Sequence, residues 1–270
     1  MHSLEPRRLL SLAVSLDAGQ LVVVGTEGDD RIEIWAEEKK LRVAFGNEVE
    51  FMAPNSSVQT IVVRGRLGND RIEIRDTVGA TGQLSGGGGN DRLVSGRKSW
   101  QLSGDAGHDT LIGGIGRDLF FGGGGIDTID YSARTSRVWI SLDGKPNDGS
   151  PAKGKTKGER DNLAPDIENI IGGAGNDRIV GNELRNVLKG AAGDDTLVGG
   201  GGDDVLSGDE GADLLQGEDG DDVLIAIDRS IEDKLDGGEG YDSAAFDYVL
   251  ASDDHDSLAG IENEISVLSS

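Results

Sequence analysis

The chain contains no cysteine, which excludes a disulfide framework and a thiolate metal site and leaves the redox compartment open. Aromatic residues are only 4% of 270, so an ordinary large core is not expected. Cationic residues are scarce. Twenty-six Lys and Arg face 50 Asp and Glu for a formal charge of −24, which excludes nucleic acid and anionic membrane surfaces as partners and favours cations. No run approaches the eighteen or more apolar residues of a membrane-spanning helix, so no transmembrane segment is expected. His2, His108 and His255 are too scattered for a metal triad.

What is abundant is glycine, 44 of 270 residues, about 16% against a usual value near 7%. One glycine-bearing stretch, GSPAKGKT from Gly149 to Thr156, spells G-x-x-x-x-G-K-[ST], the phosphate-cradling loop of P-loop NTPases. Val223–Asp228 reads like its magnesium-binding partner strand. A phosphate loop, however, needs a helix directly after it to supply part of the anion site. Gly158 and Pro165 follow instead, without helical periodicity. The match therefore predicts no nucleotide site.

The dominant signal is a nine-residue period. Slots beginning at 77, 86, 95, 104, 113 and 122, among them GGGGNDRLV and GDAGHDTLI, carry Leu84, Leu93, Leu102, Leu111, Phe120 and Ile129 at their eighth positions. A second set, from 163 to 217, carries Ile170, Ile179, Leu188, Leu197, Leu206, Leu215 and Leu224. With 36% hydrophobic residues overall, thirteen apolar residues in phase would arise by chance roughly once in a million trials. A glycine pair in every unit is incompatible with a helix. Each unit instead predicts a turn followed by a three-residue strand whose central side chain points inward. Two units make one coil, and stacked coils bury the eighth positions in two columns, each coil leaning only on its neighbours.

The pattern G-G-x-G-x-D-x-U-x, with U a large apolar residue, resembles the hemolysin-type calcium-binding repeats of the repeats-in-toxin (RTX) family over about 77 to 130 and 163 to 245. The resemblance implies an all-β fold, a parallel β-roll or β-solenoid, with several Ca²⁺ ions between successive turns, held by repeat Asp carboxylates and glycine-loop carbonyls. It implies as metal ligands Asp91, Asp109, Asp127 and Asp118 in the first block, and Asp177, Asp195, Asp213, Asp204 and Asp222 in the second. Asp118 has no acid in the slot upstream, and Asp204 has Asn186 there. Asp70 extends the Asp91 row, and Asp242, like Asp233, is a candidate beyond an insertion at Ala226 and Ile227. Oxygen-only ligands on flexible loops suit Ca²⁺ better than Zn²⁺ or Mg²⁺. Binding is expected to be coupled to folding, because unneutralised rows of Asp repel one another.

The flanks differ. LVVVGTEGDDRIEI (21 to 34) recurs as IVVRGRLGNDRIEI (61 to 74), alternation that predicts strands, with Asp30 a turn residue. LEPRRLLS (4 to 11) resembles the LEPR-XLL motif of exported bacterial proteins. Glu5, Asp17 and the lack of a cleavage site argue against a cleaved signal peptide. The expected organisation is an N-terminal segment over 1–20, strands running into a first roll over 21–142, an exposed loop over 143–162, and a second roll over 163–270. Type I export, a secreted or cell-surface location, and an extracellular polysaccharide or cell-surface partner follow from the resemblance alone. Asp pairs could imitate a glycosidase, but periodicity already accounts for them, and no G-x-S-x-G or H-E-x-x-H motif appears. Trp35, Trp100 and Trp139 are expected to pack. The expectation is a non-catalytic, calcium-folded structural or adhesive protein. The alternative is an accessory module of a secreted hydrolase or polysaccharide epimerase.

Overall fold

In the computed structural model, which describes residues 12–151, 158–227, 233–248, 257–261 and 263–268, the chain winds as a parallel β-solenoid, with no α-helix among these residues. The LEPR-XLL-like stretch 4–11 lies outside the described residues. One face of the solenoid is a single 13-stranded sheet, from Asn263–Leu268 at one end to Glu48–Pro54 at the other, so both nonapeptide blocks share it. The opposite face is made of two shorter sheets of seven and six strands. The chain alternates between the faces.

Register follows the nine-residue period. Leu84 pairs with Leu102 and Leu102 with Phe120 on one face. On the other, Leu93, Leu111, Ile129, Ile170, Leu188, Leu206 and Leu224 form one continuous column. All thirteen eighth-position side chains are buried, which is how so few aromatics suffice. The long-sheet strands in the first block are three residues long, such as Arg92–Val94. Their counterparts opposite run longer, as in Thr81–Gly88, because ladder pairing continues through the first glycines of the repeat (Arg66↔Gly87, Leu67↔Gly88).

The N-terminal end is capped by non-repeat structure. Gln20–Val24 pairs in parallel with Thr60–Leu67, and Arg31–Glu37 with Arg71–Ile74, so the 40-residue sequence echo is one coil lying on the next. The extra length is a hairpin, Lys40–Phe45 against Glu48–Pro54, extending the long sheet antiparallel. Ala13–Asp17 does the same for the shorter sheet. Such caps cover a sheet end that would otherwise template further pairing.

The two shorter sheets meet at an excursion between the blocks. Trp139–Ser141 pairs forward with Arg178–Val180, and Asn162–Leu163 pairs back with Leu119–Phe120. Isolated antiparallel bridges, Trp139 to Gly149 and Asp148 to Asp161, lie between them. The stretch 143–162, expected as an exposed loop, thus carries Asp148, Glu159 and Asp161 as buried residues. The reason is that its ends are laid into the coil stack. From Gly158 onward the chain is irregular and then extended, so no helix stands behind the phosphate-loop look-alike there.

Candidate calcium sites

The repeat Asp residues sit at the two edges of the roll, where the chain crosses between faces. On the first edge each Asp donates its backbone N–H to the carboxylate of its equivalent in the next coil: Asp30 to Asp70 (2.8 Å), Asp70 to Asp91 (2.7 Å), Asp91 to Asp109 (2.7 Å) and Asp109 to Asp127 (2.8 Å). In the second block the same edge carries Asn186 to Asp204 (2.7 Å), Asp204 to Asp222 (2.8 Å) and Asp222 to Asp242 (2.8 Å). The second edge carries Asp118, and then Asp177 to Asp195 (2.7 Å), Asp195 to Asp213 (2.8 Å) and Asp213 to Asp233 (2.7 Å). These amide-to-carboxylate bonds are charge-assisted. They use only Oδ1.

The fate of the second oxygen divides the positions. For Asp70, Asp91, Asp109, Asp127, Asp195, Asp204 and Asp222, Oδ2 is buried and accepts no hydrogen bond. Each such oxygen faces the first glycine of its own loop. A Cβ built at Gly86 would lie 2.8 Å from the Gly104 carbonyl oxygen and closer still to Asp91 Oδ2. At Gly104, Gly190 and Gly199 the carbonyl of the next coil's first glycine (for Gly104, that of Gly122) stands at 2.7 Å, again beside the Asp Oδ2. A carboxylate oxygen and a main-chain carbonyl therefore converge where a side chain is excluded. Orphaned acceptors of this kind are costly when buried, and a hard, oxygen-seeking cation is their natural complement.

These open loops share a backbone. Positive φ recurs at the second and fourth loop positions, as at Gly87 (+113°) and Gly89 (+124°). Asp105 (+74°), Ala191 (+82°), Asp209 (+65°) and Glu218 (+73°) hold the second position without being glycine. Such conformations cost free energy for a non-glycine residue.

Asp118 and Asp177 lie in loops of another kind, with no positive φ from 113 to 118 or from 172 to 177. Ser95 Oγ donates to Asp118 Oδ2 at 3.4 Å, and Gly173 N–H to Asp177 Oδ2 at 2.7 Å. Asn186 behaves alike, its Oδ1 taking the Asn182 N–H at 2.8 Å. Asp30 has one oxygen on Thr26 N–H (2.6 Å) and the other on Thr26 Oγ1 (2.8 Å). At these positions a donor of the protein itself takes the side-chain oxygen that the open loops leave bare. For Asp213 and Asp242, Oδ2 likewise lies beside Gly208 and Gly237 respectively.

Sequence periodicity misses Asp161. Its Oδ1 accepts the Asp118 N–H at 2.8 Å, and its Oδ2 the Tyr131 hydroxyl at 2.8 Å. It occupies the place of the next repeat Asp after Asp118, but 43 residues on. Its one signal is the run Asp161-Asn162-Leu163, which keeps the repeat's D-x-U spacing. Glu159 beside it pairs with Arg134 at 3.3 Å.

Burial raises the carboxyl groups. Asp70 and Asp109 are pushed up to about 6, and Asp91, Asp195 and Asp204 to about 7, burial being the largest cause and neighbouring carboxylates adding to it. Asp127, Asp177 and Asp222 move the same way. Asp118 and Asp148 reach about 7 and Asp161 about 8, again through burial. Among the described residues no three acidic or imidazole side chains converge on a single point. A site of one or two carboxylates completed by main-chain carbonyls meets that condition.

A parallel β-roll with rows of half-satisfied carboxylates at its loop edges defines a calcium-binding solenoid. The chain carries RTX calcium-binding nonapeptide repeats, matched over 83–97, 101–129 and, in overlapping segments, 165–226. These repeats bind several Ca²⁺ ions. Two similar proteins are Metallopeptidase AprA of Pseudomonas marginalis, 41% identical over 75 residues, and Metalloprotease AprA of Pseudomonas entomophila (strain L48), 42% identical over 75 residues. Each match covers 25% of this chain and only 14% and 13%, respectively, of the relative. No helix among the described residues is long and apolar enough to cross a membrane.

Proposed function

We propose that this protein is a secreted or cell-surface structural or adhesive β-roll, without catalysis, whose folding depends on Ca²⁺. The observation that carries the reading is the register of buried Asp Oδ2 atoms, without donors, against the carbonyl of the next loop's first glycine. The ligand set is Asp70, Asp91, Asp109, Asp127, Asp195, Asp204 and Asp222, each with a loop carbonyl; the resemblance adds Asp213 and Asp242, whose Oδ2 lies beside Gly208 and Gly237. Asp118 and Asp177 are left out of it, because a protein donor already takes their second oxygen. When bound, calcium supplies positive charge and flexible oxygen coordination. The chain's own part is to hold carboxylates and carbonyls in line and keep water from them.

Exposed Trp139 and Tyr241 offer flat faces for an extracellular polysaccharide or cell-surface partner. Equilibrium dialysis against ⁴⁵Ca²⁺ tests the central part. Several ions per chain, one fewer in Asp204→Asn and an unchanged number in Asp177→Asn, are expected, whereas a chain that binds none would sink the reading. The 75-residue similarity to two metallopeptidases favours a second reading, a calcium-dependent accessory module of a secreted hydrolase or polysaccharide epimerase. It predicts that adding this chain with Ca²⁺ raises the refolding yield of a metallopeptidase. An unchanged yield would leave the structural role.

A further inference from the structure

The outer face of the six-stranded sheet begins at an exposed tryptophan. Trp139 and Arg178 are register partners on adjacent parallel strands, so their side chains leave the sheet side by side, with the strands about 4.8 Å apart. The Trp139 backbone is held from its other side too, its N–H donating to the Gly149 carbonyl (3.1 Å) and its own carbonyl accepting the Gly149 N–H (2.8 Å). The indole is thus carried on a fixed strand, and Trp139 remains 48% exposed. Arg137 stands over the ring, its guanidinium carbon 5.2 Å from the centroid, a cation–π contact that holds a second positive charge at the same place.

A cleft of about 350 Å³ opens beside the ring, and Trp139, Ser141, Asn147, Asp148 and Arg178 help to line it. That volume is in the range of small-ligand sites. Among the described residues neither Arg137 nor Arg178 pairs with a carboxylate. Asp148, the acid in the wall, is buried and raised by burial to about 7, so it opposes an incoming anion less than an ordinary carboxylate would. The sequence around the cleft is cationic as well. Residues 134–160 include seven Lys or Arg against three Asp or Glu, in a chain whose acids outnumber its bases 50 to 26.

A flat aromatic face between two guanidiniums is complementary to a sugar ring that carries a carboxylate. The apolar C–H face of the ring lies on the indole, the carboxylate takes a guanidinium through paired N–H donors, and the hydroxyls meet Ser141 and Asn147. An acidic peptide would use the charges and leave the ring face without a partner. We propose that the cleft formed by Trp139, Arg137 and Arg178 binds an acidic, uronate-bearing polysaccharide. The inference rests on the extracellular polysaccharide reading given above, and adds to it a site and a charge.

The experiment is isothermal titration of the full chain with trigalacturonate, at the same free calcium in both solutions and with circular dichroism to check the fold. Maltotriose, neutral and equally long, is the control. The expected result is that the uronate trimer binds at least about tenfold more tightly than maltotriose, and that Arg178→Gln and Trp139→Ala each lose at least about tenfold, with Tyr241→Ala unchanged. Trigalacturonate bound equally by wild type and both variants, or maltotriose bound as tightly, would overturn the proposal and leave the polysaccharide reading standing. Triglutamate bound through Arg178 while neither sugar binds would overturn it in favour of an acidic peptide. A folded chain that binds none of the three would bring down the polysaccharide reading, and the proposal with it. Should Trp139→Ala not reach the wild-type spectrum, Arg137→Gln replaces it. A weakened uronate isotherm again supports the cleft, and an unaltered one overturns it.

Discussion

The first glycine of each open loop is fixed by two neighbours, its own repeat Asp and the carbonyl of the next coil. Gly199 is representative, with Asp204 Oδ2 and the Gly217 carbonyl crowding the place of a Cβ. Gly199→Ala is therefore expected to destabilise the calcium-loaded protein by about 1–3 kcal/mol through overpacking, and to weaken the Asp204 ion. Gly28→Ala, which would meet nothing within 4 Å, is the control. Thermal melts in calcium distinguish them. The carboxylates also predict a pH dependence. Asp91, Asp195 and Asp204 stand at about 7 in the fold against an ordinary value of 3.8, so the metal-free fold binds more protons than the unfolded chain. Its stability is then full below the ordinary carboxylate range and is lost as pH rises through about 7. Melts in chelator from pH 4 to 8 should show a falling midpoint. Calcium affinity should run the other way and rise over pH 5 to 8, because the ion displaces those protons; a flat affinity profile would contradict the burial of the ligands.

At the scale of strand and loop, the column of eighth-position side chains sets the cost of a core change. Leu206 is fully buried between Leu188 and Leu224, so Leu206→Ala should cost about 2–5 kcal/mol. Val223→Ala, at 39% exposure, should cost far less by the same melts. These columns were legible in the sequence, because a side chain in phase with a nine-residue turn has only one direction to point. The loops were less so. GGIGRD at Asp118 and GGAGND at Asp177 match the repeat as well as GDAGHD does at Asp109, yet only the last takes the positive-φ path. What separates them is the neighbour in space: Ser95 reaches Asp118 Oδ2, and the non-repeat segment at Arg134 and Arg137 lies against Gly173 and Gly175 of the Asp177 loop. Neither is near in sequence. The excursion was read as exposed from its Gly, Pro and Lys content. Asp161 and Glu159 are buried because Tyr131 and Arg134 meet them there.

For the whole molecule, the count of charges against ordering decides what calcium does. The chain carries −24, with its buried carboxylates concentrated along two edges, and each coil contacts only its neighbours, so stability propagates from unit to unit. The antiparallel cap, where Thr26 satisfies both oxygens of Asp30, and the junction closed by Tyr131 and Arg134 need no ion of their own. The coils between and beyond them do. Structure that persists in chelator should therefore lie around residues 20–63, 131–151 and 158–163, a pattern that amide hydrogen exchange with and without calcium would read out directly. Uniform protection in chelator would show that the open loops hold without a cation.

The most direct test of calcium-coupled folding is far-UV circular dichroism of chelated protein titrated with Ca²⁺, with Mg²⁺ as control. The account predicts a large gain of β-signal between about 10⁻⁴ and 10⁻³ M, the range of weak extracellular sites, and none with Mg²⁺. A full β-spectrum in chelator that calcium leaves unchanged would contradict it, reducing the Asp rows to turn residues that stabilise the roll through their Oδ1 bonds alone.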